Sequence, residues 1–372
     1  MIYLDHAATT PPDPAVIRAM GDCMARAWHN PSAAYAAADE ARRTLRLCRQ
    51  RVAGMLNARP QEIVFTSGGS EGNNQAVALA RGSHVVVSAV EHASVLNAAR
   101  RVAGEVTLVP TDGEGVVTPE AVERAMRPDT RLVCVQLANN ESGVLQPVRE
   151  IGMLTRARRV PLLCDAVQGF GRVPIDVRAL NIDLMTRSAH KFYGPRGAGC
   201  LYVRQGVPLE PLIEGGGQEF GLRSGTENAP AVEGMRVAAE LAARDMAARA
   251  ERERALAAAF LRRLSARVPD CRLLARNAPR LPGVMALLLS GLPSEQAVAD
   301  LDLLGVQVSG GAACAARSGR ASHVYRAMGL CEADARCVVR VSLGRDNTEG
   351  EMEIAAEAIA RVYTARKGGK SL

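Results

Sequence analysis

Short apolar runs alternate with amphipathic stretches of helical spacing between about residues 60 and 205. The runs are rich in β-branched residues and continuously hydrophobic, which is typical of parallel strands buried on both faces. The predicted strands are Glu62–Thr66, His84–Val90, Val106–Val109, Arg131–Ala138, Val160–Asp165, Asp183–Ser188 and Gly199–Val203. The predicted helices are Asn73–Ala80, Ser94–Ala103, Pro119–Met126 and Val148–Arg158. This alternation predicts an α/β domain whose mostly parallel sheet is flanked by helices on both faces.

The second half of the chain has a different pattern. Pro230–Arg267 is rich in alanine and arginine and predicts one long helix that bridges two domains. A smaller α+β unit is predicted after it, with strands Val284–Leu289, Val306–Ser309 and Val338–Leu343 and helices from Ser294 and over Thr348–Ala365. We expect the first dozen residues to join this unit. The predicted large domain spans residues 13–243, and the small domain comprises residues 1–12 and 244–372. Two domains are expected because 372 residues are too many for one domain of average size.

Composition narrows the class of protein. The apolar runs are far shorter than the ~20 residues of a membrane span, and the N-terminus does not resemble a signal peptide. We therefore expect a cytoplasmic protein that does not bind membranes. The nine cysteines are scattered without CxxC spacing, which argues against a disulfide framework and against a zinc site. No metal site is predicted.

The net charge of +7 allows two interpretations, a nucleic-acid-binding surface or a solvated surface rich in arginine. The basic residues are spread along the chain, and aromatic residues, which stack on bases, make up only 3% of it. These two features favour the solvated surface, and we expect no direct binding of nucleic acid.

Lysine is almost absent from this basic chain. Only Lys191, Lys367 and Lys370 accompany 43 arginines, and the last two lie in the C-terminal tail. Arginine does not give up its proton under physiological conditions, so it cannot act as a nucleophilic amine. If the protein uses lysine chemistry, Lys191 is the residue that carries it.

Three segments of the α/β region carry candidate chemistry. The turn Thr66–Asn74, with Gly69 and Ser70, follows a strand and opens a helix. It therefore suits an anion such as phosphate, although such turns are often merely structural. Asp165 ends a predicted strand, where it is either a ligand-binding carboxylate or a helix cap. Lys191 follows His190 in a loop rich in glycine and proline, and it is either a solvent-facing lysine or a reactive amine.

A phosphate turn, a carboxylate and a later lysine on one sheet resemble the site of fold-type I pyridoxal-phosphate enzymes in the class V aminotransferase group, and specifically NifS/IscS-type cysteine desulfurases. The resemblance covers nearly the whole chain. It rests on these segments: Tyr3–Thr10, Asn30–Ser32, Glu91–His92, Asn139–Val144, Ser188–Gly199, Gly215–Gly217, Arg223–Thr226 and Arg340–Arg345.

The resemblance implies pyridoxal 5'-phosphate as cofactor and a role for each matching residue. Lys191 would bind the cofactor covalently, while Gly69, Ser70, Ser188 and His190 would hold its phosphate. Asp165 would pair with the pyridine nitrogen, Gln168 would contact the phenolic oxygen, and His92 would stack on the ring and move protons. Thr226 would reach the phosphate of a partner subunit, which implies a homodimer. Asn140 and Arg340 would bind the carboxylate of L-cysteine, with Asn30 as a further substrate residue that equally suits a turn.

Cys314 lies in a run of small residues and, taken alone, is either an incidental cysteine or a nucleophile whose thiolate Arg317 and Arg320 favour. The resemblance places it at the position that accepts sulfur as a persulfide and passes it to an acceptor protein. Selenocysteine lyase, another C–S lyase or aminotransferase, and a non-catalytic scaffold remain alternatives. The chain departs from the family pattern at Gly311–Ala312, Cys164, Gln218 and Tyr35, and its C-terminal stretch is short. The acceptor is expected to serve iron–sulfur cluster assembly, a thionucleotide pathway or another sulfur modification. The departures favour a specialised acceptor, such as one in a thionucleotide, thiocofactor or DNA-modification pathway.

Overall fold

The computed structural model describes residues 1–311 and 321–368. After a short first strand, Ile2–Tyr3 (β1), seven strands form the largest sheet. They are Ile63–Thr66 (β2), His84–Ser88 (β3), Glu105–Val109 (β4), Thr130–Cys134 (β5), Leu162–Asp165 (β6), Leu184–Ser188 (β7) and Gly199–Val203 (β8). Their spatial order is β2-β8-β7-β6-β5-β3-β4. Only β8 runs antiparallel to its neighbours, which confirms the predicted, mostly parallel sheet.

Two apolar layers cover this sheet. Val86 and Val133 face one buried core, whereas Val85, Val87 and Leu132 face the other. The strands are continuously apolar because both of their faces are buried. The helices of this half are Pro14–Arg26 (α1), Asp39–Gly54 (α2), Gly69–Ala78 (α3), Ala93–Val102 (α4), Pro119–Ala125 (α5) and Val148–Ala157 (α6).

The hydrophobic pattern of the sequence did not predict helices α1 and α2. The start of α1 carries a local signal, because the Asp13 side chain accepts a hydrogen bond from the backbone N–H of Ala15 and Pro14 is the first helical residue. Both helices pack along the long helix Ala229–Arg267 (α7). The Asp-Pro pair was therefore an available signal for a helix start.

The remaining strands form two small sheets. Arg272–Leu273 (β9), Val284–Leu288 (β10) and Val338–Ser342 (β12) pair antiparallel, and β1 pairs in parallel with Val306–Gln307 (β11). The first strand therefore pairs with a strand of the C-terminal half. Its helices are Ser294–Leu303 (α8), His323–Ala327 (α9), Glu332–Ala335 (α10) and Glu349–Lys367 (α11).

The 39-residue helix α7 connects the two halves. Met235 and Ala238 belong to the core beside the large sheet, while Leu256 and Phe260 belong to the core of the C-terminal unit. The domain boundaries near residues 12 and 243 remain a prediction. Within the described residues, no helix combines the length and apolar character that crossing a lipid bilayer requires.

Candidate active site

A cavity of about 590 Å³ opens where the parallel strands of the large sheet end. Such sheets bind ligands at the carboxyl ends of their strands. Nine of the predicted site residues line it: Gly69, Ser70, His92, Asn140, Asp165, Gln168, Ser188, His190 and Lys191. The tertiary structure thus brings together residues that are spread over more than a hundred positions of sequence.

The turn before α3 forms the anion-binding end of this cavity. The backbone N–H groups of Gly69, Ser70 and Glu71 have no hydrogen-bond partner among the described residues. A side chain at Gly69 would place its Cβ 2.6 Å from Cγ2 of Val167, so a larger residue would force the turn or Val167 to shift. Free N–H groups at a helix start, close to Ser188, provide a site for a phosphate.

Asp165 is fixed by two hydrogen bonds at the end of β6. Its Oδ1 accepts from the backbone N–H of Val167 at 2.9 Å, and its Oδ2 accepts from Nδ2 of Asn73 at 2.7 Å. Asn73 in turn accepts a hydrogen bond from Oγ1 of Thr186 at 2.7 Å. No role was assigned to Asn73 from the sequence, because its partner lies 92 residues away and no local motif marks the pair.

Lys191 carries a lowered pKa. Burial, and then the positive charges of Arg340 and Arg172, lower the pKa of its amine to about 8. Its Nζ donates to the carbonyl oxygens of Ala7 and Ala8, each at 2.7 Å. The amine is therefore positioned by the N-terminal segment, and a usable fraction of it is neutral near physiological pH.

Two polar neighbours flank the lysine. Burial, followed by the charges of Lys191 and Arg196, lowers the pKa of His190 to about 4, so its ring is neutral at pH 7. Gln168 donates through Nε2 to the carbonyl oxygen of Ala7 at 2.8 Å. Its buried Oε1 has no partner within the described parts of the chain and thus remains available to a ligand.

His92 stands at the start of α4. Its Nδ1 accepts a hydrogen bond from the backbone N–H of Ser94 at 3.1 Å and lies 2.8 Å from Oγ of the same serine. Directly before it, Glu91 is completely buried. Burial, and then the neighbouring charge of Asp165, raise the pKa of the Glu91 carboxyl to about 8. Glu91 is therefore a neutral acid behind the site at pH 7.

Arg340 projects from β12 close to the cavity. Its side chain is 3% exposed, and its Nη2 pairs with Oδ1 of Asp5 at 2.6 Å. Its Nη1 donates to the carbonyl oxygen of Asn140 at 2.8 Å. Arg340 thus lies beside the predicted substrate residue Asn140 but is already paired with a carboxylate. The sequence did not indicate this role of Asp5.

Two predicted residues, Asn30 and Thr226, lie apart from this cavity, and a third is not among the described residues. Asn30 is exposed, and its Oδ1 accepts from the backbone N–H of Ser32, as an Asn-Pro turn does. Thr226 is exposed and does not line the cavity of its own chain. Cys314, with Arg317 and Arg320, lies outside the described residues.

The cavity suits pyridoxal phosphate. It combines an anion site at a helix start, a carboxylate, an amine with a lowered pKa and the unpartnered Oε1 of Gln168. Among residues 1–311 and 321–368, no cluster of histidine, cysteine and carboxylate side chains could hold a metal ion.

Comparisons with known proteins agree with this assignment. Residues 2–354 match the class-V aminotransferase family. The chain is 39% identical to the cysteine desulfurase IscS of Clostridium botulinum over 98% of its own length and 95% of the relative's. A NifS-like protein from Rickettsia africae has a similar structure, with a TM-score of 0.91, 32% identity and coverage of 98% and 99% of the two chains. SspA, solved in complex with cysteine, has a TM-score of 0.79 and 33% identity over 92% of this chain and 99% of its own.

Proposed function

The chain belongs to the class-V aminotransferase family and is a pyridoxal-phosphate-dependent cysteine desulfurase, and we propose that Lys191 holds the cofactor while Cys314 receives the sulfur. The net reaction converts L-cysteine to L-alanine and the thiol of Cys314 to a persulfide. The C–S bond of the substrate breaks, an S–S bond forms on Cys314, and a proton replaces sulfur on the substrate's β-carbon.

The observation that carries this proposal is the position of Lys191. The body of the chain has no other lysine, and this one projects into the cavity with a pKa of about 8. Bound pyridoxal phosphate supplies an aldehyde that an amine can capture and a ring that withdraws electrons from the substrate. Lys191 supplies the amine, and once released it can move protons at the substrate.

The other residues of the cavity would bind the cofactor and orient it. The N–H groups of Gly69 and Ser70 and the side chains of Ser188 and His190 bind the phosphate. Asp165, fixed by Asn73, would pair with the ring nitrogen. Gln168, whose Nε2 uses one hydrogen for the carbonyl oxygen of Ala7, would donate the other to the phenolic oxygen. His92, which also lines the cavity, would stack on the ring and assist proton transfer.

Substrate binding falls to Asn140 and Arg340, because a guanidinium binds a carboxylate through two parallel hydrogen bonds. Asp5 occupies one side of Arg340, so the substrate carboxylate must compete with Asp5 or share the guanidinium with it. Asn30 is the least supported of the proposed substrate residues, since its side chain closes a turn.

We also propose a cytoplasmic homodimer. Thr226 is exposed and away from the cavity of its own chain, as expected of a residue that reaches the phosphate of a partner subunit. The persulfide then passes to an acceptor protein, which serves iron–sulfur cluster assembly, a thionucleotide pathway or another sulfur modification. The departures near the cysteine segment favour a specialised acceptor.

The decisive experiment compares Cys314→Ala with Cys331→Ser after incubation of the holoenzyme with cysteine. Cys331 is an exposed cysteine and serves as the control. We expect a persulfide on Cys314 by mass spectrometry, loss of alanine formation in Cys314→Ala, and normal activity in Cys331→Ser. Alanine and sulfide formation at the full rate by Cys314→Ala would indicate a lyase without a persulfide.

A further inference from the structure

The hydrogen bonds around His92 determine where its ring carries a proton. The backbone N–H of Ser94 donates to Nδ1 at 3.1 Å. A backbone amide is always a donor, so Nδ1 must be the acceptor and carries no hydrogen. The neutral ring of His92, a residue that lines the cavity, therefore has its proton on Nε2.

A second donor reinforces this tautomer. Oγ of Ser94 lies 2.8 Å from Nδ1 of His92, and it accepts a hydrogen bond from Nδ2 of Asn73 at 2.9 Å. Because Asn73 occupies an acceptor position of the hydroxyl, the hydroxyl hydrogen is free to point at His92. Ser94 thus directs two donors at the same ring nitrogen.

The orientation of Asn73 is fixed as well. A carboxylate only accepts hydrogen bonds, so the amide nitrogen of Asn73 must face Asp165, at 2.7 Å. Its oxygen accepts from Oγ1 of Thr186 at 2.7 Å. The amide therefore uses one hydrogen for Asp165 and the other for Ser94, and a continuous chain of donors runs from Thr186 to His92.

We propose that Asn73 and Ser94 are positioning residues that hold neutral His92 with its proton on Nε2, so that His92 serves the reaction as a hydrogen-bond donor and not as a base. A ring in this state could accept a proton only at Nδ1, where the backbone N–H of Ser94 already points. Proton abstraction then falls to the amine of Lys191, whose pKa of about 8 suits a base. This inference rests on the proposed function and limits the part of His92 in it to donating from Nε2.

The tautomer can be read directly by long-range ¹H–¹⁵N NMR of holoenzyme labelled at histidine. The chain has six histidines, and the signals of His92 are those that a His92→Gln variant loses. We expect a protonated-type Nε2 signal and an unprotonated-type Nδ1 signal in the neutral ring. A protonated Nδ1 would overturn the proposal.

Ser94→Ala and Ser94→Thr test the hydroxyl. Loss of one neutral hydrogen bond should lower the ratio of the Nε2–H to the Nδ1–H tautomer about fivefold in Ser94→Ala, whereas Ser94→Thr keeps the wild-type ratio. An unchanged tautomer ratio in Ser94→Ala would show that the hydroxyl of Ser94 does not hold the tautomer of His92. The proposed function is tested separately, because its failure would show as absent alanine formation in the wild type whatever the tautomer of His92.

Discussion

Asp5 and Arg340 lie 335 residues apart in the sequence, yet Oδ1 of the aspartate and Nη2 of the arginine are 2.6 Å apart. The pair joins the segment after β1 to strand β12, beside the cavity. Arg340 is almost fully buried, so its charge needs a partner whether or not substrate is bound. Asp5 is that partner in the free chain.

Replacing this partner should make Arg340 more dependent on ligand. In Asp5→Asn the side chain can still accept a hydrogen bond, but the guanidinium loses its counter-charge, so we expect a lower melting temperature. Alanine, the product, should restore part of the loss through its carboxylate. We therefore expect alanine to raise the melting temperature of Asp5→Asn more than that of the wild type, and to have no such effect in Arg340→Gln. Equal alanine shifts in Asp5→Asn and the wild type would argue against a carboxylate site at Arg340.

Cofactor capture should depend on the protonation of Lys191. Only the neutral amine attacks an aldehyde, and its pKa of about 8 predicts that the rate of cofactor loading rises with pH and levels off above pH 8. Arg172 contributes to this lowered pKa by charge repulsion, so Arg172→Leu should move the midpoint to higher pH. Stopped-flow absorbance of apoenzyme mixed with pyridoxal phosphate measures this rate. An unchanged midpoint in Arg172→Leu would show that the charge of Arg172 does not contribute to the lowered pKa.

Glu91 should make the stability of the protein depend on pH. Burial raises the pKa of its carboxyl to about 8 from an ordinary value of 4.5, so the folded state retains a proton that the unfolded chain releases. The stability that this proton contributes is complete below pH 4.5 and is lost as pH rises toward 8. Glu91→Gln keeps a neutral side chain at every pH and should gain stability relative to the wild type between pH 5 and 8. Chemical denaturation at several pH values measures the difference, and a constant difference would contradict a neutral Glu91.

Gly69 should not tolerate a side chain. An alanine Cβ would lie 2.6 Å from Val167, a residue that also lines the cavity, so either the turn or Val167 must shift. We expect Gly69→Ala to cost about 1–3 kcal/mol in the free energy of unfolding and to weaken cofactor binding. Gly21→Ala is the matched control, because a Cβ at this position of α1 meets no atom within 4 Å. Equal cofactor titrations for the two variants would show that the turn adapts.

Local signals in the sequence were enough to predict much of the fold. Buried strands such as His84–Ser88 are recognisable because both of their faces are apolar. The final helix was predicted over Thr348–Ala365 and observed over Glu349–Lys367, since a threonine cap and a glutamate three positions later mark its start. Lys191 was identified by composition, because a chain that otherwise uses arginine kept a lysine there.

Contacts between distant residues were decided only by the tertiary structure. Asn73 meets Asp165 across 92 positions, Asp5 meets Arg340 across 335, and Lys191 meets Ala7 across 184. No local pattern encodes such pairs, because each depends on how two elements pack rather than on the propensity of either. The pKa values of Lys191 and Glu91 arise in the same way, since burial and neighbouring charges exist only in the folded chain. The sequence by itself thus determined which groups are present, and folding decided which of them are charged, paired and directed into the cavity.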